Sequence, residues 1–371
     1  MFGVNSLTTQ PTRMAQVNPA MGQRGQQHMT KTILTYITSM VIMLALTGAV
    51  SANSDCDVVS QELSKINDIQ AAIDENNGGW IAGETTVSGF SADEKMALCG
   101  ARIAAPQLSA TVVRPASTGI MATGVSATSV SATSVSATSV SATSVSAANV
   151  SASTFDWRDK DGKNWVTPVR SQGSCGSCWA FSAIGAVESA VQIYTNNPDM
   201  NVDLSEQHLV SDCCRAGSCS GGWPDWALDY IRDTGVPDED CTPYDARNSD
   251  CNPCSDHADR ALKIDGYVYV QPTKEDFKAA LQQYGPMSVV ITVPNDWYYY
   301  KTGVYAPTQS RENGVGWANH AVVLVGWDDS DDCWIIKNSW GQGWGENGYA
   351  RVKYGDLEQY NYAYAVTGVN T

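Results

Sequence analysis

The sequence predicts an α+β fold for the part of the chain that runs from Phe155 to the C-terminus. Helical spacing of apolar residues dominates up to about Arg232, whereas strand-like runs appear only after Lys263. Helices first and strands later favour an α+β arrangement in two subdomains over an alternating α/β sheet. The strand-like runs are short and mostly apolar: Tyr267–Val270, Ser288–Val293, Ala321–Val325 and Cys333–Ile336.

Composition narrows the possible functions. The 371 residues are 43% hydrophobic, with 12 Trp and 16 Tyr, which is enough apolar surface for a core and for two or three domains. Lys and Arg number 23 against 39 Asp and Glu, a net charge of −16, which argues against binding to nucleic acids or anionic lipids. Eleven cysteines indicate an oxidising compartment or a metal.

An apolar stretch near the N-terminus predicts export. Ile33–Val50 is apolar over 18 residues, follows Lys31, and ends in small residues typical of a cleavage site. We therefore expect residues 1–52 to be an N-terminal extension with a signal peptide, with translation starting at Met29 because the preceding region is too long. The expected location is secreted or extracellular. A lysosome-like or vacuolar compartment, or a membrane anchor at 33–50, is the alternative.

Residues 53–104 form a segment with two predicted helices. Ser91–Glu94 is a capping box that opens the second helix through Leu98, and Gly78-Gly79 ends the first. Such a segment buries too little apolar surface to be stable alone, so it needs another surface to lie on. The first helix is predicted from apolar residues at helical spacing: Val59, Leu63, Ile66, Ile69 and Ile73.

Residues 105–153 are rich in Ser, Thr, Ala and Val. The sequence VSATS occurs four times in succession in Val125–Ser144. A flexible tether is favoured over a strand, because the apolar face would consist only of Val and Ala. Asn149 begins a glycosylation sequon within this tether.

The segment SQGSCGSCWAFS, Ser171–Ser182, is the most informative part of the sequence. A glycine-containing loop leads into a helix with an apolar face, so that Cys178 lies in the first helical turn. There the free backbone N–H groups favour a thiolate and lower the pKa of the thiol. A lone cysteine is more often half of a disulfide or an inert core thiol, but the loop–helix context favours a nucleophile.

A cysteine nucleophile needs a base and a group that orients the base. His320 lies at the mouth of a predicted buried strand, and Asn338 lies at the end of the next strand. An amide carbonyl at Asn338 could accept a hydrogen bond from the imidazole, while Trp340 would keep water away from that bond. Together with Cys178 these residues form a candidate catalytic triad.

These motifs resemble the papain family of cysteine peptidases, over about Phe155 to the C-terminus. The resemblance implies a papain-like domain over residues 154–371, with a helical left part, a β-barrel-like right part and the active-site cleft between them. It also implies that Gln172 donates to the oxyanion together with the backbone N–H of Cys178. Neither a cofactor nor a metal is implied.

The resemblance extends to substrate contacts. Gly221 and Gly222 are expected to lie along the bound peptide backbone, and Cys175 is expected to pair with Cys219. The subsite for the residue second before the scissile bond carries no charge, so that Leu, Val or Phe is expected there. The other substrate-contacting positions implied are Trp223, Pro224, Val290, Asn319, Ala321 and Trp340.

The remaining cysteines leave alternatives open. One member of the Cys213-Cys214 pair is expected to join Cys251 or Cys254, and the sequence does not decide which. Cys251 and Cys254 with His257 could bind zinc, but disulfides are favoured in an exported chain. The pairing of Cys241 and Cys333 also stays open, although Cys333 fits a buried free thiol.

Two short motifs make the 53–104 segment resemble a propeptide of the cathepsin B type: Trp80–Gly83 and Leu98–Gly100. The resemblance implies that this propeptide inhibits the enzyme by lying along the cleft. The segment after Cys241–Tyr244 is short and holds only His257, which predicts cleavage inside substrate chains rather than removal of dipeptides.

We therefore expect a secreted, monomeric cysteine endopeptidase made as a zymogen, acting on proteins or peptides through an acyl-enzyme. A membrane is a partner only if the leader stays uncleaved. Two alternatives have the same fold: a transpeptidase, in which an amine intercepts the acyl-enzyme, and a catalytically silent binding module.

Overall fold

The computed structural model describes residues 52–102, 112–113, 152–308, 320–357 and 362–370. The chain divides into two compact units, residues 1–61 and residues 62–371. The predicted export segment at 33–50 and the repeats of the predicted tether lie outside the described residues. In the described ranges, no helix combines the length and apolarity needed to cross a membrane.

The predicted helices of the 53–104 segment are present. Helix α1 spans Ala52–Glu75, strand β1 spans Gly79–Ala82 and helix α2 spans Ala92–Ala97. The predicted capping box at the start of α2 is confirmed, because the Ser91 side chain accepts from the Glu94 backbone while the Glu94 side chain accepts from Ser91.

Helix α3 (Cys178–Tyr194) is the central element of the remaining chain, and every residue from Cys178 to Gln192 is buried. A helix that is apolar on nearly all sides must be covered on all sides. Three strands pack against it, β7 (Met287–Ile291), β9 (His320–Asp328) and β12 (Ala363–Asn370), and so do helices α4 (Glu206–Val210) and α5 (Pro224–Asp233). The other α-helices of this part are α4 (Glu206–Val210), α5 (Pro224–Asp233), α6 (His257–Arg260) and α7 (Lys274–Tyr284).

Most of the described strands form one large, mostly antiparallel sheet, which includes β1 from the 53–104 segment. The strand order in this sheet is β1-β8-β11-β10-β9-β7-β12-β6-β2, and β3 also pairs with β9. Strands β4 and β5 form a separate small ribbon. In the described residues the strands are β2 (Val112–Val113), β3 (Thr154–Asp156), β4 (Gly217–Ser218), β5 (Gly221–Gly222), β6 (Lys263–Val270), β7 (Met287–Ile291), β8 (Tyr300–Tyr305), β9 (His320–Asp328), β10 (Cys333–Lys337), β11 (Tyr349–Lys353) and β12 (Ala363–Asn370).

Two large apolar cores fill the fold. The sheet-side core is rich in tryptophan, including Trp297, Trp327 and Trp344. The helix-side core surrounds α3 and includes Leu209 and Val236. A third, small cluster contains Cys178 together with residues of the 53–104 segment and of the sheet.

The 53–104 segment completes the edge of the large sheet. Strand β1 pairs antiparallel with β8, which would otherwise expose unpaired backbone groups. Trp80 is 2% exposed, its ring centre lies 5.0 Å from that of Tyr305, and its Nε1 donates to the Ala306 carbonyl at 2.9 Å. The segment therefore obtains from the sheet the apolar contacts that it cannot supply itself.

Replacing the buried Trp80 is expected to loosen the segment. We expect Trp80→Ala to weaken its attachment by about 3–5 kcal/mol, since a large buried side chain and its hydrogen bond are lost. Ile81→Ala is the matched control, because the neighbouring Ile81 is 54% exposed and should change little. After a protease site in 105–153 is cut, size-exclusion chromatography measures retention; equal retention in both variants would contradict the prediction.

Candidate active site

Cys178 lies at the point where a tight loop enters helix α3. The Cys175–Cys219 disulfide, the pair that the resemblance implies, joins this loop to the β4–β5 ribbon. Gly176 donates its N–H to the Cys219 carbonyl at 2.9 Å, and a Cβ at Gly176 would lie only 2.6 Å from that oxygen. The loop needs glycine there because two backbones approach closely, and that approach fixes the start of the helix.

His320 and Asn338 lie on adjacent strands. His320 begins β9 and Asn338 follows β10, and the imidazole Nε2 lies 2.8 Å from Asn338 Oδ1. Because an amide oxygen can only accept, Nε2 carries the proton and Nδ1 is the basic nitrogen. The Trp340 ring centre lies 4.8 Å from that of His320 and is 2% exposed, so water is kept from the bond.

Ser339 links Gln172 to Asn338, a role that the sequence reasoning missed. Its backbone N–H donates to Asn338 Oδ1 at 2.8 Å, and its hydroxyl donates to Gln172 Oε1 at 2.6 Å. Because Gln172 Oε1 accepts this hydrogen bond, the orientation of the amide is fixed and Nε2 is its donor atom. The position between Asn338 and Trp340 in the KNSW motif was the available signal.

The 53–104 segment covers this group of residues. Gln172 Nε2 donates to the Leu98 carbonyl at 3.0 Å, and the Gly100 N–H donates to Cys178 Sγ at 3.3 Å. A Cβ on Gly100 would lie 1.9 Å from the Gly176 carbonyl oxygen, so only glycine permits this approach.

Backbone pairing holds the covering strand. Gly222 donates its N–H to the Gly100 carbonyl at 2.8 Å and accepts from the Arg102 N–H at 2.7 Å, which makes a parallel bridge opposite Ala101. Gly221 has φ of +107° and is buried. Gly221 and Gly222 thus lie along an extended chain, the position that the resemblance gives to a substrate backbone.

The side chain of Ala101 occupies a small apolar pocket. It packs with Cys178, Val290 and Ala321, and Tyr362 contacts the same cluster. Val290 and Ala321 are among the predicted substrate contacts, whereas Tyr362 is not.

The other predicted contact residues lie nearby or outside the described part. Pro224 is buried in the first turn of α5, and Trp223 precedes it as the residue that caps this helix. Asn319 lies outside the described residues.

Burial keeps the Cys178–His320 pair uncharged in this state. Both side chains are fully buried. Burial raises the pKa of the Cys178 thiol to about 11, although backbone hydrogen bonds from Gly100 and others oppose the shift. Burial also lowers the pKa of His320 to about 4, against the opposing contact with Asn338. The lowered thiol pKa expected from the helix N-terminus is therefore wrong for the covered state, because desolvation by burial shifts the pKa upward.

The other cysteines whose side chains the structure describes are disulfide-bonded, buried or, for Cys99, half-buried. Disulfides join Cys213 to Cys251 and Cys241 to Cys254. These bonds occupy the cysteines that a zinc site with His257 would need. Across the described residues no cluster of His, Cys, Asp and Glu could hold a metal ion. Three further thiols are unbonded: Cys99, Cys214 and Cys333.

Comparison with known proteins identifies the family of the chain. Residues 151–369 match the family described as papain family cysteine protease. Pro-cathepsin H of Mus musculus is 41% identical over 214 residues, which are 55% of this chain and 60% of that protein. Cysteine proteinase 3 of Solanum lycopersicum is 39% identical over 54% of this chain and 56% of that protein. The chain thus spans about 60% of the length of these relatives.

Solved precursor structures share the fold over most of the chain. The digestive procathepsin L2 of Tenebrio molitor matches with a TM-score of 0.67 at 24% identity, over 86% of this chain and 95% of that one. A recombinant stem bromelain precursor matches with a TM-score of 0.62 at 25% identity, over 89% and 98%. The predicted α+β, papain-like fold is confirmed, and the chain belongs to the papain family of cysteine proteases.

Proposed function

We propose that this chain is the zymogen of a secreted, monomeric cysteine endopeptidase. The observation that carries the proposal is the arrangement of two groups beside a buried thiol at the start of a helix. His320 is oriented by Asn338, and the Gln172 amide holds the carbonyl of Leu98, two residues before Gly100, whose N–H contacts the Cys178 sulfur. Membership of the papain family supports the same assignment.

The proposed reaction begins once the cleft is open. Cys178 transfers its proton to His320, and the thiolate attacks the peptide carbonyl carbon. Gln172 Nε2 and the Cys178 N–H stabilise the tetrahedral oxyanion. The C–N bond breaks, His320 donates its proton to the leaving amine, and an acyl thioester remains. Water then attacks the thioester with His320 as base, which releases the carboxylic acid and restores the thiol.

The position of the Leu98 carbonyl supports this role for Gln172. The carbonyl oxygen lies 3.0 Å from Gln172 Nε2, and the same amide nitrogen also donates to the Cys175 carbonyl at 2.7 Å. An amide so restrained needs little reorganisation when charge develops on a bound carbonyl.

We propose that residues 53–104 are the inhibitory propeptide. The segment occupies the cleft through backbone bonds to Gly222 and through the buried Leu98 and Trp80. It also keeps the Cys178–His320 pair neutral, and a neutral thiol is a poor nucleophile. Apolar and backbone contacts suit a chain of net charge −16, in which charge attraction contributes little.

We propose an apolar preference for the substrate residue second before the scissile bond. The pocket that holds Ala101 is lined by Val290 and Ala321, neither of which carries a charge. The three disulfides support secretion, because such bonds persist in oxidising compartments.

The proposed roles predict a graded loss of activity. Cys178→Ala and His320→Ala should each lower kcat/KM by about 10⁴-fold or more, whereas Asn338→Ala should lower it by about 10²-fold, since Asn338 only orients the base. Cys333→Ala, which removes another buried free thiol, is the matched control. Peptide hydrolysis is measured after the chain is cut in 105–153, with circular dichroism to check folding. Full activity of Cys178→Ala would refute the assignment.

Cleavage should occur within substrate chains. The loop after Cys241 is closed by the Cys241–Cys254 disulfide, and the His257 ring lies 6.5 Å from that of His208 on the helical side. We therefore expect no group in the described residues to grip the C-terminal carboxylate of a substrate. Mass spectrometry of products from a long peptide should show internal cuts; stepwise release of C-terminal dipeptides would contradict this.

Alkaline pH should weaken the hold of the propeptide. The covered Cys178 keeps its proton up to a pKa of about 11, whereas an uncovered thiol in the first turn of a helix loses it at or below the ordinary value of 9.0. This contribution to the closed state is fully present below the pKa of the uncovered thiol and is progressively lost as the pH rises toward 11. Between pH 8 and pH 10 we expect the affinity to fall about tenfold or more.

The control for this pH effect is Cys178→Ser, whose hydroxyl does not titrate in this range. Cys99, with its pKa raised to about 12, and Tyr298, with its pKa also raised, face the same contact and act in the same direction. Propeptide retention on the cut chain is measured by size-exclusion chromatography at both pH values. The same pH response in wild type and Cys178→Ser would show that Cys178 is not its source.

A further inference from the structure

Arg102 makes two specific contacts next to the cleft. Its guanidinium NH2 donates to the Ser220 carbonyl at 2.9 Å, and its guanidinium carbon lies 5.2 Å from the centre of the Trp223 ring. The described residues place no carboxylate within ion-pair distance of this guanidinium. Its interactions are thus those of a cation with an aromatic face and a backbone carbonyl.

Arg102 lies over Trp223, and a second tryptophan stacks on Trp223. Trp226 stacks on Trp223 with ring centres 4.3 Å apart and an angle of 22° between the planes. Trp226 is 39% exposed, although it lies on the amphipathic helix α5. A Cβ at Gly221 would lie 3.1 Å from Arg102 Nε, so the missing side chain leaves room for the guanidinium.

We propose that Trp223, Trp226 and the Ser220 carbonyl, here called the tryptophan shelf, form a subsite for a cationic side chain of the substrate. Arg102 occupies this subsite in the zymogen. The proposal rests on the proposed peptidase function and adds a preference for Arg, and to a lesser degree Lys, to the apolar pocket already described.

The position of Arg102 assigns the shelf to one substrate residue. Gly100 contacts Cys178, Ala101 fills the apolar pocket, and Arg102 is one residue farther from the sulfur. If the apolar pocket takes the residue second before the scissile bond, the shelf takes the third. The covering strand runs in the opposite direction to such a substrate, because its residue numbers rise away from the sulfur, so the correspondence is between side-chain positions.

The chemistry of the shelf selects for a guanidinium. A planar guanidinium lies flat on an indole ring and still donates in its own plane to a carbonyl, whereas an ammonium satisfies the two contacts less well. An apolar side chain would leave the Ser220 carbonyl without this partner. The net charge of −16 on the whole chain also favours basic peptides over acidic ones in the approach to the cleft.

The first test compares peptides that differ only at the residue third before the scissile bond, which is Arg, Lys, Gln or Leu. The cut, active protein should hydrolyse the Arg peptide with a kcat/KM about tenfold above that of the Gln peptide, with Lys between them. Trp226→Ala should bring the Arg-to-Gln ratio down to about 2–3. Equal kcat/KM for the Arg and Gln peptides in the wild type would overturn the proposal.

The second test does not depend on peptidase activity. In the full, uncut chain, the rate at which iodoacetamide alkylates Cys178, measured by mass spectrometry, reports opening of the cleft. Arg102→Ala and Arg102→Gln should raise this rate about tenfold, and Arg102→Lys less. Lys65→Ala is the matched control, because Lys65 is a cation of the same segment that pairs with Glu62 instead.

Together the two tests distinguish cation binding at the tryptophan shelf from peptidase activity. An unchanged alkylation rate in Arg102→Ala would overturn cation binding at the shelf. If no peptide is hydrolysed but Arg102→Ala still opens the cleft, the proposed peptidase function fails while cation binding at the shelf is supported. Arg102→Gln and Arg102→Ala should leave folding intact, because Arg102 is exposed and its loss leaves no buried cavity. A change in alkylation rate therefore reports the lost cation.

Discussion

The burial of helix α3 on all sides is the constraint on which the rest of the structure depends. Because its apolar residues must be covered all round, strands β7, β9 and β12 and helices α4 and α5 pack against it. The helix therefore begins where the two cores meet. Cys178 is the first residue of α3, and His320 is the first residue of β9, which packs against α3.

Close approach of backbones governs how the cleft is covered. Gly100 lies against Gly176, and Gly222 pairs with the chain on both sides of Ala101. These contacts exclude water from the sulfur and the imidazole, and desolvation moves the pKa of Cys178 up and that of His320 down. If residues 53–104 are the propeptide, as proposed, latency comes from desolvation and from physical obstruction acting together, without a covalent bond to Cys178.

The sequence predicted those features that depend on local pattern. The capping box at Ser91, the apolar strands and the loop–helix context of Cys178 are all set within a few residues of the chain. It could not predict the direction of the Cys178 pKa shift, because the shift is caused by burial among residues that lie far away in sequence. Nor could it choose Cys213 over Cys214 as the partner of Cys251, since adjacent cysteines differ only in where the fold points them.

The proposed function links specificity to latency, because the covering strand contacts groups that the proposal assigns to substrate binding. Ala101 fills the apolar pocket, Arg102 lies on Trp223, and the Leu98 carbonyl accepts from the Gln172 amide. Under the proposal, a substitution that reshapes either proposed subsite also changes the affinity for residues 53–104. A change of substrate preference that keeps latency then requires matching changes at Ala101 or Arg102.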